Sequence, residues 1–432
     1  MERETRFRLP PKLPRPSKVS VRSRGMSKSA LLRAGGGPAV SLRPANRFGL
    51  SEWSGAVGDL GTLLPLAFAL VIFNGYSPQR LFFLWGAVYM VTGWFYRVPV
   101  SVQPLKAMAV IAIAQGFSVA QLSSAGVFYG ILLLVLALSG LVRWLERWFS
   151  PALIRGVQLG IGLILLQKAV QLSLEHGLYL SWTVHSKWFN LSLLIPVLLV
   201  LGIFQFQRQK PVSVWIIAGS ILFSALLGVK VPGAFSQGAL AVPSLPKTQF
   251  LFPAVVYLIV PQLPLTLGNA VFAACDACRT LWRDRAHRVS PTRLAFSIGL
   301  SDLFIGLLGG FPVCHGAGGI VAHAKFGGRT GGTTLLLGLV LVLVSVAAPL
   351  SRFLFLIPIP VLGALLLFTS WGMISLVLKL DTSREIGVAL LVGGVSFFTG
   401  NLTIAILLGF AVEQGVLWIV RRKKIAEAHG ND

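Results

Sequence analysis

Lys106 is the residue whose chemistry most needs explaining. It follows Gln103-Pro104-Leu105 and opens the apolar stretch Ala107-Met-Ala-Val-Ile-Ala-Ile-Ala114. A cation among apolar residues is costly without a partner, which makes it a functional candidate by default. A second group lies in Phe311-Pro-Val-Cys-His-Gly-Ala-Gly-Gly319. It offers a thiol at Cys314, an imidazole at His315, and glycines at Gly316, Gly318 and Gly319 that let backbone approach a ligand closely. Neither residues 98–115 nor 311–325 contain a carboxylate. A helix start carries about half a positive charge and free N–H groups, so one cation beside two such starts is a site for an anion. The structural alternative is a Lys106–Asp59 ion pair.

The acidic residues are fewer and less telling. Asp59 sits in Gly55-Ala-Val-Gly-Asp-Leu-Gly-Thr62, where Gly55, Gly58 and Gly61 make a face for close helix packing. Glu52, Asp302 and Glu413 also fall in or beside apolar segments, and each can either carry a coupling proton or bond nearby backbone. Cys275-Asp-Ala-Cys278 has no second pair, and small residues at a helix end explain it better than a metal does. Gly327-Gly-Arg-Thr-Gly-Gly332 lacks the Gly-Lys-Ser/Thr ending of a phosphate-binding loop. No spacing of nucleophile and base, or of zinc ligands, stands out. No enzyme, metal or cofactor is expected.

These residues need a framework of membrane helices. The 432-residue chain is 55% hydrophobic and 12% charged, with a mean hydropathy of +0.77. An ordinary soluble domain carries about 25% charged residues, which excludes a water-soluble enzyme. A formal charge of +24 on a soluble protein would imply nucleic acid. Here twelve of the basic residues lie in the first 50 positions and most others lie between apolar segments. The expected partner is a lipid bilayer, with no nucleic acid.

Apolar helices are expected near 54–73, 81–98, 104–115, 122–142, 151–170, 188–205 and 211–229, then near 253–274, 293–310, 316–325, 333–349, 353–377, 385–398 and 401–420. Of these fourteen elements, 104–115 and 316–325 are too short to span. With the basic N-terminus inside, nineteen loop cations, from Arg97 to the run Arg421–Lys424, face the cytoplasm and six face outward. Both termini are then cytoplasmic. The parts are a basic, disordered cytoplasmic tail over 1–47, a first repeat over 48–230, an external connection over 231–252, a second repeat over 253–421 and a short tail over 422–432. The plasma or cell inner membrane is expected. An organelle membrane follows if the Arg/Ser-rich tail is a transit peptide, and Met26 is an alternative start. No soluble domain is expected after Val420.

The halves are weakly similar at an offset of about 210 residues. Pro99 and Gln103-Pro104 precede the third element as Pro312 and His315-Gly316 precede the tenth. Ser150-Pro151…Gly156 opens the fifth, and Ile359-Pro360…Gly363 falls within the twelfth. Seven elements per half is odd, so the second copy enters the membrane from the opposite side. Short, interrupted segments at matching places in inverted repeats point to a transporter's substrate site.

Three motifs together resemble those of the molybdate transporter family, a branch of the sulfate-permease superfamily without its C-terminal anti-sigma-antagonist-like domain. They are Ser54-Gly-Ala-Val-Gly-Asp-Leu-Gly-Thr-Leu-Leu-Pro65, Pro99-Val-Ser-Val-Gln-Pro-Leu-Lys106, and Pro312-Val-Cys-His-Gly-Ala-Gly-Gly319 with Lys325-Phe-Gly-Gly-Arg-Thr-Gly331. The resemblance spans roughly residues 48–421. It implies an all-α polytopic fold of seven plus seven inverted elements, in which a core (elements 1–4 and 8–11) moves against a gate (5–7 and 12–14). It also implies secondary-active uptake of molybdate, with tungstate as mimic. Sulfate is the alternative cargo. Nucleobase permeases of the same fold place carboxylates on elements 8 and 10, and residues 253–274 and 311–325 have none. Relative to the family pattern, Ser101-Val102 is inserted and Leu105 replaces Met. The expected substrate-binding set is Gln103, Pro104, Lys106, Cys314, His315, Gly316, Ala317 and Gly318. Asp59, Thr62, Asn269 and Asp302 are expected to support it or to carry a coupling proton, and a homodimer is a further expectation.

Overall fold

With so few charges to hydrate it, the chain satisfies its backbone internally, and it does so almost wholly as helix. The computed structural model describes residues 45–145, 148–179, 186–205, 212–229, 240–347 and 353–429. The first half contains α1 (Leu50–Val57), α2 (Leu60–Asn74), α3 (Pro78–Tyr96), the two-residue strand β1 (Gln103–Pro104), α4 (Lys106–Gln115), α5 (Val119–Leu138), α6 (Pro151–Glu175), α7 (Lys187–Gln205) and α8 (Val212–Leu226). The second half contains the long run α9 (Thr248–Arg288), α10 (Pro291–Leu307), β2 (Val313–Cys314), α11 (Ala317–Lys325), α12 (Gly332–Val346), α13 (Ile359–Ile374), α14 (Ser383–Thr399) and α15 (Leu402–His429).

Every expected apolar segment falls on a helix, but three details differ. The first is broken: α1 and α2 meet at 42°, with Gly58 and Asp59 at the bend. The eighth is longer than expected and carries π-turns at Ala254–Ile259 and Thr266–Phe272. Pro253, Pro261 and Pro264 remove backbone donors along this run, which disfavours a regular α ladder. The twelfth starts at Ile359, because Pro360 fits a first helical turn and cannot sit inside a helix without loss. The tail expected over 1–47 lies outside the described residues except at its end, where the Arg47 amide donates to Thr330 Oγ1 at 3.0 Å. Among the described residues, five helices are long and apolar enough to cross a membrane alone, or six if α1 and α2 count as one span. Helix length thus assigns fewer crossings than fourteen.

Packing follows the repeat. The second element, α3, lies along the eleventh, α12, and the fourth, α5, lies along the ninth, α10. Exchanging the halves turns one pair into the other. The fifth, α6, lies along its own counterpart α13 and also along α14, while α7 packs on α13. Both core pairs close on facing glycines. A Cβ at Gly86 would stand 2.8 Å from the Gly338 carbonyl oxygen, and one at Gly299 would stand 2.9 Å from that of Gly130. With lipid no less apolar than leucine, such backbone contact is a main source of helix association.

Glu52 anchors α1 to the loop ahead of α12. It is 1% exposed. Oε2 accepts from the amides of Arg329 at 3.1 Å and Thr330 at 3.3 Å and from the Thr333 hydroxyl, while Oε1 accepts from Thr330 Oγ1 at 3.1 Å. The glycine-rich loop at 327–332 therefore cradles an anion, and the anion is the protein's own carboxylate. This assigns Glu52 a structural place in preference to a proton-carrying one. Replacing Glu52 by Ala strands four donors. At about 1–3 kcal/mol for a buried unpaired group, the melting temperature in detergent should fall by several degrees, with Glu52→Gln intermediate. Unchanged melting in both variants would show that the loop holds without the carboxylate.

Candidate functional site

The site is assembled by the smallest sheet a chain can make. β1 and β2 pair antiparallel with Gln103 opposite Cys314 and Pro104 opposite Val313. The Leu105 amide extends the ladder, donating to the Pro312 carbonyl at 3.1 Å. Each strand leads directly into a half-helix, so the antiparallel pairing brings the starts of α4 and α11 together and sends the helices apart. Neither start is capped by a side chain: Leu105 and Gly316 occupy the cap positions and make no side-chain cap bond. The Met108 amide is taken by Gln262 Oε1 at 3.1 Å, and Gln262 is held in turn by its own Nε2 donating to Thr266 Oγ1 at 2.9 Å. The amides of Lys106, Ala107, Ala317 and Gly318 have no acceptor among the described residues.

Lys106 begins α4 and is partly buried. Its ammonium has no ion pair or hydrogen bond among the described residues. The alternative Lys106–Asp59 pair does not form, because Asp59 is otherwise engaged. At the α1–α2 bend, fully buried, Asp59 accepts from the Tyr89 hydroxyl on Oδ2 and from Gln103 Nε2 on Oδ1, with the Thr62 hydroxyl at 3.2 Å. Gln103 Nε2 also donates to Thr62 Oγ1 at 2.8 Å. These two acceptors fix the amide so that Gln103 Oε1 turns to Gly316, where a Cβ would collide with it. Asp59 thereby positions Gln103. It also faces His323, whose Nε2 lies 3.6 Å from Asp59 Oδ2 while Nδ1 donates to the Gly55 carbonyl at 2.8 Å. Gly319 is the close-approach position: a Cβ there would stand 2.5 Å from Asp59 Oδ1.

Other expected residues are placed differently. His315 was expected to offer a donor to the ligand, but both ring nitrogens are used. Nδ1 bonds the Ser101 carbonyl at 2.9 Å and Nε2 bonds Ser297 Oγ at 2.8 Å, with Tyr96 packed edge-on. A carbonyl only accepts, so Nδ1 carries the proton. The Ser101 hydroxyl donates to the Gly316 carbonyl at 2.7 Å. The inserted Ser101 therefore ties one half-helix loop to the other. Asp302 Oδ1 accepts from the Val313 amide at 2.6 Å, so it supports β2 from below. Cys314 is a buried free thiol opposite Gln103. Pro104 lies in the ladder, and Ala317 and Gly318 lie in the first turn of α11. Asn269 sits in the π-turn of α9 with its amide nitrogen 3.8 Å from where a Gly316 Cβ would stand.

Sequence reading assigned no role to Tyr89, Ser101, Gln262, Ser297 or His323. Each is an isolated polar residue in an apolar or loop segment, and its partner lies far away in sequence.

The matches to known proteins run through these same elements. A family model described as a molybdate transporter of the MFS superfamily matches residues 51–165 and 254–373, which include β1 with α4 and β2 with α11. Molybdate transporter 1 of Arabidopsis thaliana is 30% identical over 413 residues, covering 83% of this chain and 88% of that protein. Molybdate transporter 2 of the same plant is 27% identical over 391 residues, covering 81% and 83%. Among solved structures, the transmembrane domain of the cyanobacterium bicarbonate transporter BicA superposes with a TM-score of 0.60 at 20% identity, covering 86% of this chain and 97% of that one. That likeness gives the fold, a helical transmembrane domain. With the family model covering both half-helices and a relative matched along most of its length, the chain belongs to the molybdate transporter family.

Proposed function

We propose that this chain carries molybdate across the membrane by alternating access, binding it between the starts of α4 and α11. The observation that carries this reading is Lys106, partly buried and without a side-chain partner among the described residues, at one of the two uncapped helix starts that β1 and β2 bring together. A tetrahedral dianion supplies what each of these groups lacks: acceptor oxygens for the amides and negative charge for the ammonium. The placement of Asp59 supports the same reading, since it bonds Tyr89, Thr62 and Gln103 and makes no ion pair with Lys106. The proposed coupling ion is a proton, held at Asp59 opposite His323 Nε2. The proposed setting is the plasma membrane with both termini in the cytoplasm.

Cells or proteoliposomes containing the protein should accumulate molybdenum at low external molybdate, with tungstate competing and uracil not. Equal inhibition by a modest excess of sulfate would make molybdate one cargo among several. Absence of accumulation by correctly inserted protein would remove the reading. A protonophore should lower accumulation, and an unchanged level would take the proton out of the cycle. A cysteine placed at the exposed Asp284 should be labelled only from the cytoplasmic side.

Lys106→Ala should leave the melting temperature unchanged, because no protein group loses a partner. Molybdate binding should weaken about 10- to 100-fold, the usual worth of a hydrogen bond to a charged group. Lys106→Arg should rescue only in part, since a planar guanidinium places its donors differently from an ammonium. Full binding by Lys106→Ala would exclude Lys106 from the site.

A further inference from the structure

Arg155 reads in sequence as one more cytoplasmic loop cation, yet it lies inside α6 and is partly buried, unlike the exposed Arg143. Its Nη1 donates to Gln158 Oε1 at 2.8 Å, and Gln158 is itself 4% exposed. Among the described residues no carboxylate lies within ion-pair distance of Arg155. A guanidinium has five N–H donors in a planar fork, so a neutral amide leaves its charge and most of its donors unused.

Arg155 lines a cavity of about 180 Å³ between α6 and the π-turn of α9. One water needs only roughly 10–15 Å³, so the space admits an ion with part of its hydration shell. Asn269 forms the opposite wall with Gly268. Gly268 faces Ile154 of α6, since a Cβ there would collide with the Ile154 side chain. The Asn269 amide has no hydrogen bond among the described residues, and it also lies beside Gly316 at the start of α11. The cavity and the half-helix start therefore share one unpaired polar side chain.

We propose that this cavity is a second oxyanion contact, in which Arg155, braced by Gln158, binds a tetrahedral dianion from the gate helix and Asn269 links it to the Gly316 end of the site. The proposal rests on the transport reading. An anion held by Lys106 and the helix starts belongs to the core alone. One that also meets Arg155 bridges core and gate, the two parts that must move against each other. The planar fork suits Arg155 to this place, because it grips two oxygens of one anion at once.

The test uses the full-length protein in proteoliposomes, with molybdate as the probe, comparing wild type with Arg155→Gln, Arg155→Lys and Gln158→Leu. Arg155→Gln should raise KM for molybdate about tenfold or more, as expected for loss of a charge-assisted contact, with a smaller change in maximal rate. Arg155→Lys should recover part of the KM, and Gln158→Leu should raise it less than Arg155→Gln does. An unchanged KM in Arg155→Gln would overturn the proposal. So would a loss of maximal rate at constant KM. Equal damage by Lys and Gln with a lowered melting temperature would mark Arg155 as structural and overturn it too. Wild-type protein that moves no oxyanion removes the transport reading and this proposal with it. Wild-type transport with an indifferent Arg155→Gln removes this proposal alone.

Discussion

Backbone that leaves the helix in apolar surroundings must find every hydrogen bond elsewhere, and the centre of this protein is organised around that requirement. The segment from Phe311 to Gly316 meets it group by group. The Phe311 carbonyl accepts from Trp85 Nε1 at 2.8 Å, that of Pro312 accepts from the Leu105 amide, and the Val313 amide donates to Asp302. The Gly316 carbonyl takes the Ser101 hydroxyl, and the Ser101 carbonyl takes His315. Donors and acceptors come from α3, β1, α10 and the loop before β1. Satisfying one irregular strand thus holds four separate parts of the chain in register. Among the described residues, the amides of Lys106, Ala107, Ala317 and Gly318 stay without an acceptor at the helix starts, where a ligand can reach them.

Charge is distributed by the same economy. Three buried acids serve three structural tasks: Glu52 fastens a loop, Asp302 supports a strand, and Asp59 orients an amide. None is placed against Lys106. A polar network whose members are all bonded is stiff, and one left incomplete is costly. Here the acids take hydrogen bonds from protein donors, and the cation finds no partner among the described residues. The unmet positive charge belongs to the first residue of α4, and the β1–β2 pairing brings the start of α11 close to that helix start, an arrangement favourable for holding an anion. The π-turn at Thr266–Phe272 adds Asn269 to this region, consistent with the tendency of such turns to occur at functional positions.

The repeat gives the arrangement its mechanical sense. α3 with α12 and α5 with α10 form two matching, glycine-faced pairs, and β1 with β2 joins the third and tenth elements at the point where the halves exchange. α6, which lines the cavity with Arg155, packs against its own counterpart α13. An anion at the half-helix starts would therefore lie between the paired helices and the helix that flanks them. Alternating access in inverted repeats needs such a fixed site with a partner able to rock past it.

The sequence by itself determined the membrane class, the helical elements, the two half-helix starts and the exceptional position of Lys106. Each of these follows from local composition, proline placement or hydropathy, which short windows record. The eighth element was expected as one more apolar helix, and its π-turns at Ala254–Ile259 and Thr266–Phe272 were not legible in it. Only the tertiary structure decided the partners. His315 looked like a ligand group and became a tie between loops, because Ser101 and Ser297 reach its two nitrogens from distant segments. Asp59 looked like a mate for Lys106 and was claimed by Tyr89 and Gln103. The glycine-rich loop looked like a failed phosphate cradle and holds Glu52 instead. Periodicity tells which face of a helix is apolar, but a single buried polar side chain has no period. Its partner is chosen by how the two halves pack, and that choice is made in three dimensions.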